Sequence, residues 1–237
     1  MGTYGLVRIA LPTLPVGAAR FAPVLAVLGV ISILYGALAA MAQTDLKRMV
    51  AYSSISHMGF VVLGVAAGTS LSLAGAAFQM ISHGLVSAGM FLLVGMVYER
   101  AHTRQIPELK GLFLRAPVLA VLLGFVSFAS LGLPGLSGFV GEFLTLVGSY
   151  SRLRALALAA LPSLVITAGY LLWMMQRVLM GKDETAPPLP DLTWRELAAL
   201  APLVVLIVAL GVHPAPLMRL FAPVVSAVSL HLQAGGL

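Results

Sequence analysis

Long apolar segments are the feature that most limits how this chain folds. Phe21–Ala42 holds no charged residue and is long enough to cross a bilayer, which takes about 20 apolar residues. Five more long apolar segments follow it: Met49–Gly68, Leu71–Val97, Ala116–Tyr150, Ala155–Gln176 and Leu197–Val212. These runs are apolar throughout and lack the alternation of a transmembrane β-barrel strand. The sequence therefore predicts an all-α, polytopic transmembrane bundle of about six spans.

Charged residues make up only 9% of the chain, against roughly 25% in a typical soluble domain. This composition excludes an ordinary soluble domain and a disordered chain. The chain has no Cys, so disulfides and thiolate-held iron–sulfur clusters within it are excluded as well. No nucleotide-binding motif is present. We expect no metal site and no cofactor site in this chain.

The two ends of the chain are predicted to differ from the spans. Residues 1–14 are predicted to be the last turns of a truncated helix, because nothing caps their start and no signal-peptide pattern is present. The final span is predicted at residues 195–213. Beyond it, residues 217–232 form a possible interfacial helix.

The segment Ala116–Tyr150 is predicted to cross the membrane once, as a broken helix. It is too long for one straight span and too short for two spans with a loop. Pro134 removes a backbone donor and Gly135 weakens a helix, so we place the break near these residues, with Gly138 close by. Broken backbone persists in hydrocarbon only where it is buried in protein or lines a cavity, which makes this break a marker of function.

Lys and Arg are distributed unevenly between the two sides of the membrane if the helices alternate in direction. One side receives nine of them: Lys47, Arg48, Arg100, Arg104, Lys110, Arg115, Arg177, Lys182 and Arg195. The other side receives four: Arg20, Arg152, Arg154 and Arg219. Because cytoplasmic loops are enriched in these residues, we expect the first side, with the loop 99–115, to be cytoplasmic.

Glu142 is the only carboxylate inside an apolar span, and it follows the predicted break by eight residues. A charged group at membrane depth is costly and usually faces a wet cavity or a partner. We therefore predict that Glu142 takes part in proton or ion movement. The alternative is a carboxylate that lies near the membrane interface.

His57 and His83 lie near the middles of consecutive spans, and imidazole exchanges protons near neutral pH. Both are candidates for a proton relay, and the alternative is a neutral His that holds helices together. We expect His83 to lie deeper than His57, which is nearer to the end of its span, and therefore to be the more critical of the two for proton transfer. Lys47 is a candidate for proton uptake or release, although a Lys at a cytoplasmic helix end also fits the charge asymmetry alone.

Several sequence motifs resemble those of the antiporter-like, proton-pumping membrane subunits of respiratory complex I. The match is to the C-terminal half of the family of bacterial NADH–quinone oxidoreductase subunit M and mitochondrial NADH dehydrogenase chain 4. The first motif runs from Gln43-Thr44-Asp45-Leu46-Lys47-Arg48 through Ser56-His57-Met58-Gly59. Others are Gln79-Met80-Ile81-Ser82-His83-Gly84-Leu85, Tyr98-Glu99-Arg100-Ala101-His102-Thr103-Arg104, and Leu133-Pro134-Gly135 through Val140-Gly141-Glu142-Phe143.

The resemblance implies that residues 21–180 are a five-helix repeat that contains the broken helix 116–150. It implies a proton-translocating, non-redox subunit of NADH:quinone reductase, with Glu142, His83 and His57 as the relay. NADH, flavin, iron–sulfur clusters and quinone would be bound by partner subunits, and the chain would contact other membrane subunits in the bacterial inner membrane. Alternatives are a subunit of a multi-chain Na⁺/H⁺ antiporter or membrane-bound hydrogenase, or a non-conducting membrane scaffold.

Overall fold

The computed structural model describes residues 2–181 and 188–234, which are helical apart from loops and one isolated β-bridge. The long helices are α1 (Pro15–Met41), α2 (Leu46–Ala67), α3 (Ser70–Ala101), α4 (Pro117–Leu131), α5 (Ser137–Tyr150), α6 (Arg154–Ala160), α7 (Pro162–Val178), α8 (Trp194–Val212) and α9 (Ala215–Ala234). Within the described residues, five stretches are long and apolar enough to span a membrane: α1, α2, α3, α6 with α7, and α8. The predicted all-α membrane bundle is confirmed.

A short helical stretch precedes α1. It consists of Gly2–Gly5, the π-helical turn Leu6–Ala10 and Leu11–Thr13. Leu14 leaves the helical conformation with φ −131°, and Pro15 stands at the first position of α1, where its missing N–H costs nothing. Helix α1 thus begins before the predicted start at Phe21. Arg20 is exposed inside the helix, so its charge marks no helix end.

Capping residues define both ends of α2 and the start of α3. The Asp45 carboxylate accepts a 3.0 Å hydrogen bond from the backbone N–H of Arg48 and so caps the start of α2. Gly68, with φ 66°, ends α2 in the left-handed region that favours glycine. Thr69 then caps α3 in a reciprocal capping box with Ser72. The two helices are therefore antiparallel neighbours.

The loop predicted at residues 99–115 is shorter in the structure. Helix α3 continues to Ala101, beyond the predicted end at Val97, and a one-turn helix forms at Leu112–Arg115. The charged residues Glu99 and Arg100 lie on the last turn of α3. Charge at the end of a span is compatible with helix as well as with loop, which is why the sequence did not locate this boundary.

The predicted break in the fourth span is confirmed. Residues 132–136 separate α4 from α5, and Gly132 and Gly135 adopt φ values of 80° and 94°. These values lie in the left-handed region that glycine adopts without strain. Pro134, between them, has no N–H to donate to a helix. A second interruption, between α6 and α7 at Leu161, was not predicted and lies directly before Pro162.

Glycines allow the helix backbones to approach closely. A Cβ at Gly36 of α1 would lie 2.5 Å from the backbone nitrogen of Ser56 on α2. A Cβ at Gly75 of α3 would lie 2.5 Å from the backbone nitrogen of Thr145 on α5. Small residues at helix contacts are typical of membrane bundles. Large apolar side chains point outward instead, among them Ile31, Val121, Val165 and Val205.

Asp191, in the loop before α8, caps the start of α4 from a distance in sequence. Its carboxylate accepts hydrogen bonds from the N–H groups of Val118 at 2.8 Å and Leu119 at 3.0 Å. Burial acts to raise the pKa of Asp191, but hydrogen bonds from Val118, Leu192 and Leu119, with the nearby Arg100, outweigh it and hold that pKa below its usual range. The cap therefore fixes the N-terminal end of α4, where the broken span begins.

We expect Asp191→Ala to lower the free energy of unfolding by about 1 kcal/mol at neutral pH, as loss of a helix cap does. Because the folded pKa lies below the unfolded value, the contribution of Asp191 is complete above the unfolded pKa and is lost as the pH falls through the folded pKa. The difference in unfolding temperature between wild type and variant should therefore narrow in acid. Equal unfolding temperatures at neutral pH would contradict the capping role, and Asp191→Asn, which keeps an acceptor oxygen, is the matched control.

Candidate functional site

Three helices bring polar side chains to one buried point beside the break. His57 lies on α2, His83 on α3, and Glu142 on α5, less than two turns after that helix begins. One small cavity is lined by all three side chains. The structure thus brings together the three residues that the sequence singled out as a relay.

A direct contact joins His57 to Glu142. The Nδ1 atom of His57 lies 2.7 Å from Oε1 of Glu142, and each side chain is only 7% exposed. On the opposite edge of the ring, the hydroxyl oxygen of Ser130 lies 3.3 Å from Nε2. The imidazole therefore bridges a carboxylate and a hydroxyl. An imidazole in this position can take up a proton at one nitrogen and release one at the other.

His83 is the second ring of the cluster. Its centroid lies 5.7 Å from that of His57, and the two ring planes are inclined by 49°. His83 is half-buried, whereas His57 is buried. His83 does not form a hydrogen bond with Glu142 as His57 does. Its ring contacts that of His57, so His57 lies between His83 and the carboxylate in the cluster.

The two histidines differ less than expected in their distance from the start of their helices. His57 follows Leu46, the first residue of α2, by 11 residues, which is about 16 Å at 1.5 Å per residue. His83 follows Ser70 by 13 residues, or about 20 Å by the same rise. The sequence predicts a start of the span at Met49, which places His57 only about 12 Å into its helix. The Asp45 cap starts the helix a turn earlier.

Gln79 supports the carboxylate from α3. Its amide nitrogen lies 3.4 Å from Oε1 of Glu142, while its own amide oxygen has no hydrogen-bond partner among the described residues. Gly141 makes this approach possible, because a Cβ there would collide with the Oε1 atom of Gln79 and lie 2.8 Å from its Cα. The glycine beside Glu142 therefore lets α3 and α5 pack closely enough for the two side chains to meet.

Two small cavities flank the His57 ring. The first is lined by Gln79, Ser82 and Ser130 together with the relay residues, and the second by Ser53, Ser54, Ser87 and both histidines. Each offers about 10 Å³ to the centre of a water molecule, close to the least volume that one water requires. A polar lining of this kind gives a water several hydrogen-bond partners. The cavities extend the polar cluster in both directions from His57.

Lys47 lies apart from the cluster. It is exposed on the first turn of α2, ten residues before His57, which corresponds to about 15 Å along the helix. Ser53 and Ser54 occupy the helix between the two, on the side of the second cavity. A role for Lys47 in proton uptake or release stays a prediction.

Ser130 is the member of the site that the sequence analysis missed. It is buried on the last turn of α4, directly before the break, and it is the hydroxyl that meets His57. The available signal was a serine in an apolar span two residues before Gly132. In the described part of the chain, no group of three His, Asp or Glu residues has the arrangement of a metal site.

Comparison with known proteins identifies the family. Residues 1–167 match the sequence profile described as "NADH:quinone oxidoreductase/Mrp antiporter, TM". The chain belongs to this family. The resemblance found in the motifs is thereby confirmed, since the match covers the two histidines, the break and Glu142.

Individual relatives agree with this assignment. NADH-quinone oxidoreductase subunit M of Pseudomonas aeruginosa is 46% identical over 228 residues, which are 96% of this chain and 44% of the relative. The subunit of that name from Escherichia coli is 44% identical over 218 residues, covering 91% of this chain and 43% of the relative. This chain therefore spans less than half the length of these curated relatives.

Solved structures of the family share the fold. A chain of respiratory complex I from Thermus thermophilus with bound NADH superposes with a TM-score of 0.91 at 37% identity, covering 98% of this chain and 49% of that chain. A chain of the Mrp complex from Dietzia sp. gives a TM-score of 0.80 at 22% identity, covering 92% of this chain and 50% of that chain. At that identity the second likeness concerns the fold alone.

Proposed function

We propose that this chain conducts protons across the membrane through Glu142, His57 and His83, as part of an NADH:quinone oxidoreductase assembly. The observation that carries this proposal is the buried 2.7 Å contact between His57 and Glu142. An ionisable pair of this kind is costly inside a membrane and is typical of a proton pathway. The helix break beside it gives the pair a place in which one partner can move relative to the other.

The arrangement supports a stepwise transfer. Neutral His57 with its proton on Nδ1 first takes up a second proton at Nε2, the atom that faces Ser130 and a cavity with room for water. The resulting imidazolium passes its Nδ1 proton to Oε1 of the Glu142 carboxylate, which leaves a neutral carboxylic acid and a neutral imidazole with its proton on Nε2. His83 stands beside His57 as the next group that exchanges a proton with it. The step moves one proton and no electrons.

Redox chemistry belongs to partner subunits in this proposal. The chain would be a non-redox subunit, and NADH, flavin, iron–sulfur clusters and quinone would be bound elsewhere in the assembly, beside other membrane subunits. We assign it to the bacterial inner membrane with the loop 99–115 on the cytoplasmic side, following the charge asymmetry. Single cysteines at positions 108 and 152 test this orientation, because only the first should react with a reagent added from the cytoplasmic side.

The alternatives have weaker support. A multi-chain Na⁺/H⁺ antiporter or a membrane-bound hydrogenase subunit would use the same fold, but the Mrp likeness rests on 22% identity. The relatives with 44–46% identity are named NADH-quinone oxidoreductase subunit M. A carboxylate costs several kcal/mol to desolvate in a low-dielectric interior. A non-conducting scaffold would gain nothing from a buried carboxylate beside a histidine.

The test of conduction is proton uptake by vesicles that contain the full assembly, with NADH as the electron donor. The triple variant His57→Gln, His83→Gln and Glu142→Gln should assemble normally and lose most of the protons moved per NADH oxidised. Its control carries Glu99→Gln and His213→Gln, two exposed positions with the same kinds of change. An assembled triple variant that moves as many protons per NADH as wild type would show that the chain is a scaffold.

A further inference from the structure

A further cavity lies away from the relay, at the C-terminal end of α7. It has a volume of about 380 Å³ and opens between the loop that follows α3 and the last turn of α7. Lys110 and Pro107 line it on the loop side, and Trp173, Gln176 and Arg177 line it on the α7 side. None of these residues lines either cavity at His57, so this cavity has no place in the proton pathway.

The loop wall of the cavity is held by backbone hydrogen bonds. The N–H of Gly111 donates to the carbonyl of Met180 at 3.2 Å, and the N–H of Phe113 donates to the carbonyl of Leu179 at 3.1 Å. The two carbonyls belong to the residues that directly follow α7, so these bonds join the loop to that end of the helix. The shape of the cavity is therefore held by the backbone as well as by exposed side chains.

Two cations face the cavity without a carboxylate partner. Lys110 and Arg177 are both exposed, and neither forms an ion pair with any described residue. Arg177 lies over the ring of Trp173, with its Cζ atom 4.6 Å from the ring centroid, which holds the guanidinium in place. The nearby Glu108 accepts a hydrogen bond from the hydroxyl of Thr103 and does not line the cavity. The described residues that line the cavity thus carry two positive charges and no negative charge.

The surface beside the cavity is apolar. Along α7, Leu172 is 48% exposed and Val165 75%, and Met180, two residues beyond the end of the helix, is 56% exposed. A tryptophan next to such a surface is typical of the boundary between the hydrocarbon and the headgroups of a membrane. Charge at the mouth and apolar surface below it match the two parts of a phospholipid.

We propose that this cavity binds the phosphate of an anionic phospholipid. Lys110 and Arg177 hold the phosphate oxygens, Gln176 offers its amide to the headgroup, and the acyl chains lie along the exposed face of α7. Basic pockets between membrane helices are typical sites for such headgroups. A free phosphate ion would use the same two cations but leave the apolar face of α7 without a role.

The test is electron cryo-microscopy of the full assembly in nanodiscs of phosphatidylglycerol. Headgroup density with acyl chains along α7 is expected in wild type, and its loss is expected in the double variant Lys110→Gln and Arg177→Gln. The matched control is Arg195→Gln. Arg195 likewise lies over a tryptophan, Trp194, with a distance of 5.7 Å, but it does not line the cavity. This control should keep the density.

Two further arms separate the possible sources of the phosphate. In nanodiscs of phosphatidylcholine with inorganic phosphate in the buffer, the proposal predicts no compact density in the cavity. Compact density without acyl chains would show that the site binds a free anion and would overturn the proposal. Lipid density that survives in the double variant, or a side chain of another subunit in the cavity, would overturn it as well.

Discussion

Glu142→Gln in the full assembly should reduce proton translocation by about a hundredfold, the size of effect expected when a positioned proton-transfer group is lost. The amide has nearly the shape of the carboxyl group, so it still meets His57 and Gln79, but it cannot take up and release a proton. The substitution also keeps the volume of the side chain, so the subunit should still fold and assemble. The loss should therefore appear in proton movement and not in the amount of assembled protein.

Proton uptake by vesicles during NADH oxidation measures this effect. Glu99→Gln is the control, because it makes the same change at an exposed carboxylate on the last turn of α3. We expect proton uptake at the wild-type rate from the control. Wild-type uptake by assembled Glu142→Gln would exclude this residue from the pathway.

His57→Gln should cause a larger loss of proton transfer than His83→Gln. His57 contacts Glu142 at 2.7 Å and Ser130 at 3.3 Å through its two ring nitrogens, whereas Gln79, the other side chain that meets the carboxylate, carries no group that exchanges a proton near neutral pH. His83 lies next to this ring and also lines both cavities, where water offers a bypass. We expect about a hundredfold loss for the first variant, the lower end of the range for proton-transfer groups, and about tenfold for the second, below that range because water replaces part of its role.

The same vesicle assay ranks the two variants, each normalised to the amount of assembled complex. The depth estimate from sequence favoured the opposite order, with His83 the more critical residue. The structure reduces the difference on which that order rests, since the two rings are neighbours and both lie well inside their helices. A larger loss from His83→Gln would mean that protons reach Glu142 by a route that avoids His57.

The spans and the break were predictable because they depend on local properties of the chain. A long run without charge has few alternatives to a membrane helix, and Pro134 beside Gly135 cannot continue one. Helix ends were less predictable. Arg20 lies within α1 and Glu99 within α3, since an exposed charge at the end of a span is compatible with helix. The interruption before Pro162 was missed because its flanks are apolar on both sides.

The three relay candidates were predictable because polar groups are rare and costly in apolar spans. The contact between them was not predictable, because helical periodicity does not tell which faces of helices distant in sequence meet. Ser130 was missed for this reason: a serine in a span also satisfies itself by bonding to its own helix. The cap that Asp191 supplies to α4 was not predictable either, because Asp191 is distant from α4 in sequence and meets it only after folding.

The most direct test of the account is a double-mutant cycle on His57→Gln and Glu142→Gln, read as protons moved per NADH oxidised. If the two residues form one relay, the double variant should lose no more than the more damaging single variant, because the pathway is already interrupted. If they act independently, the fold losses of the single variants should multiply. Multiplied losses would contradict the claim that His57 and Glu142 pass the same proton.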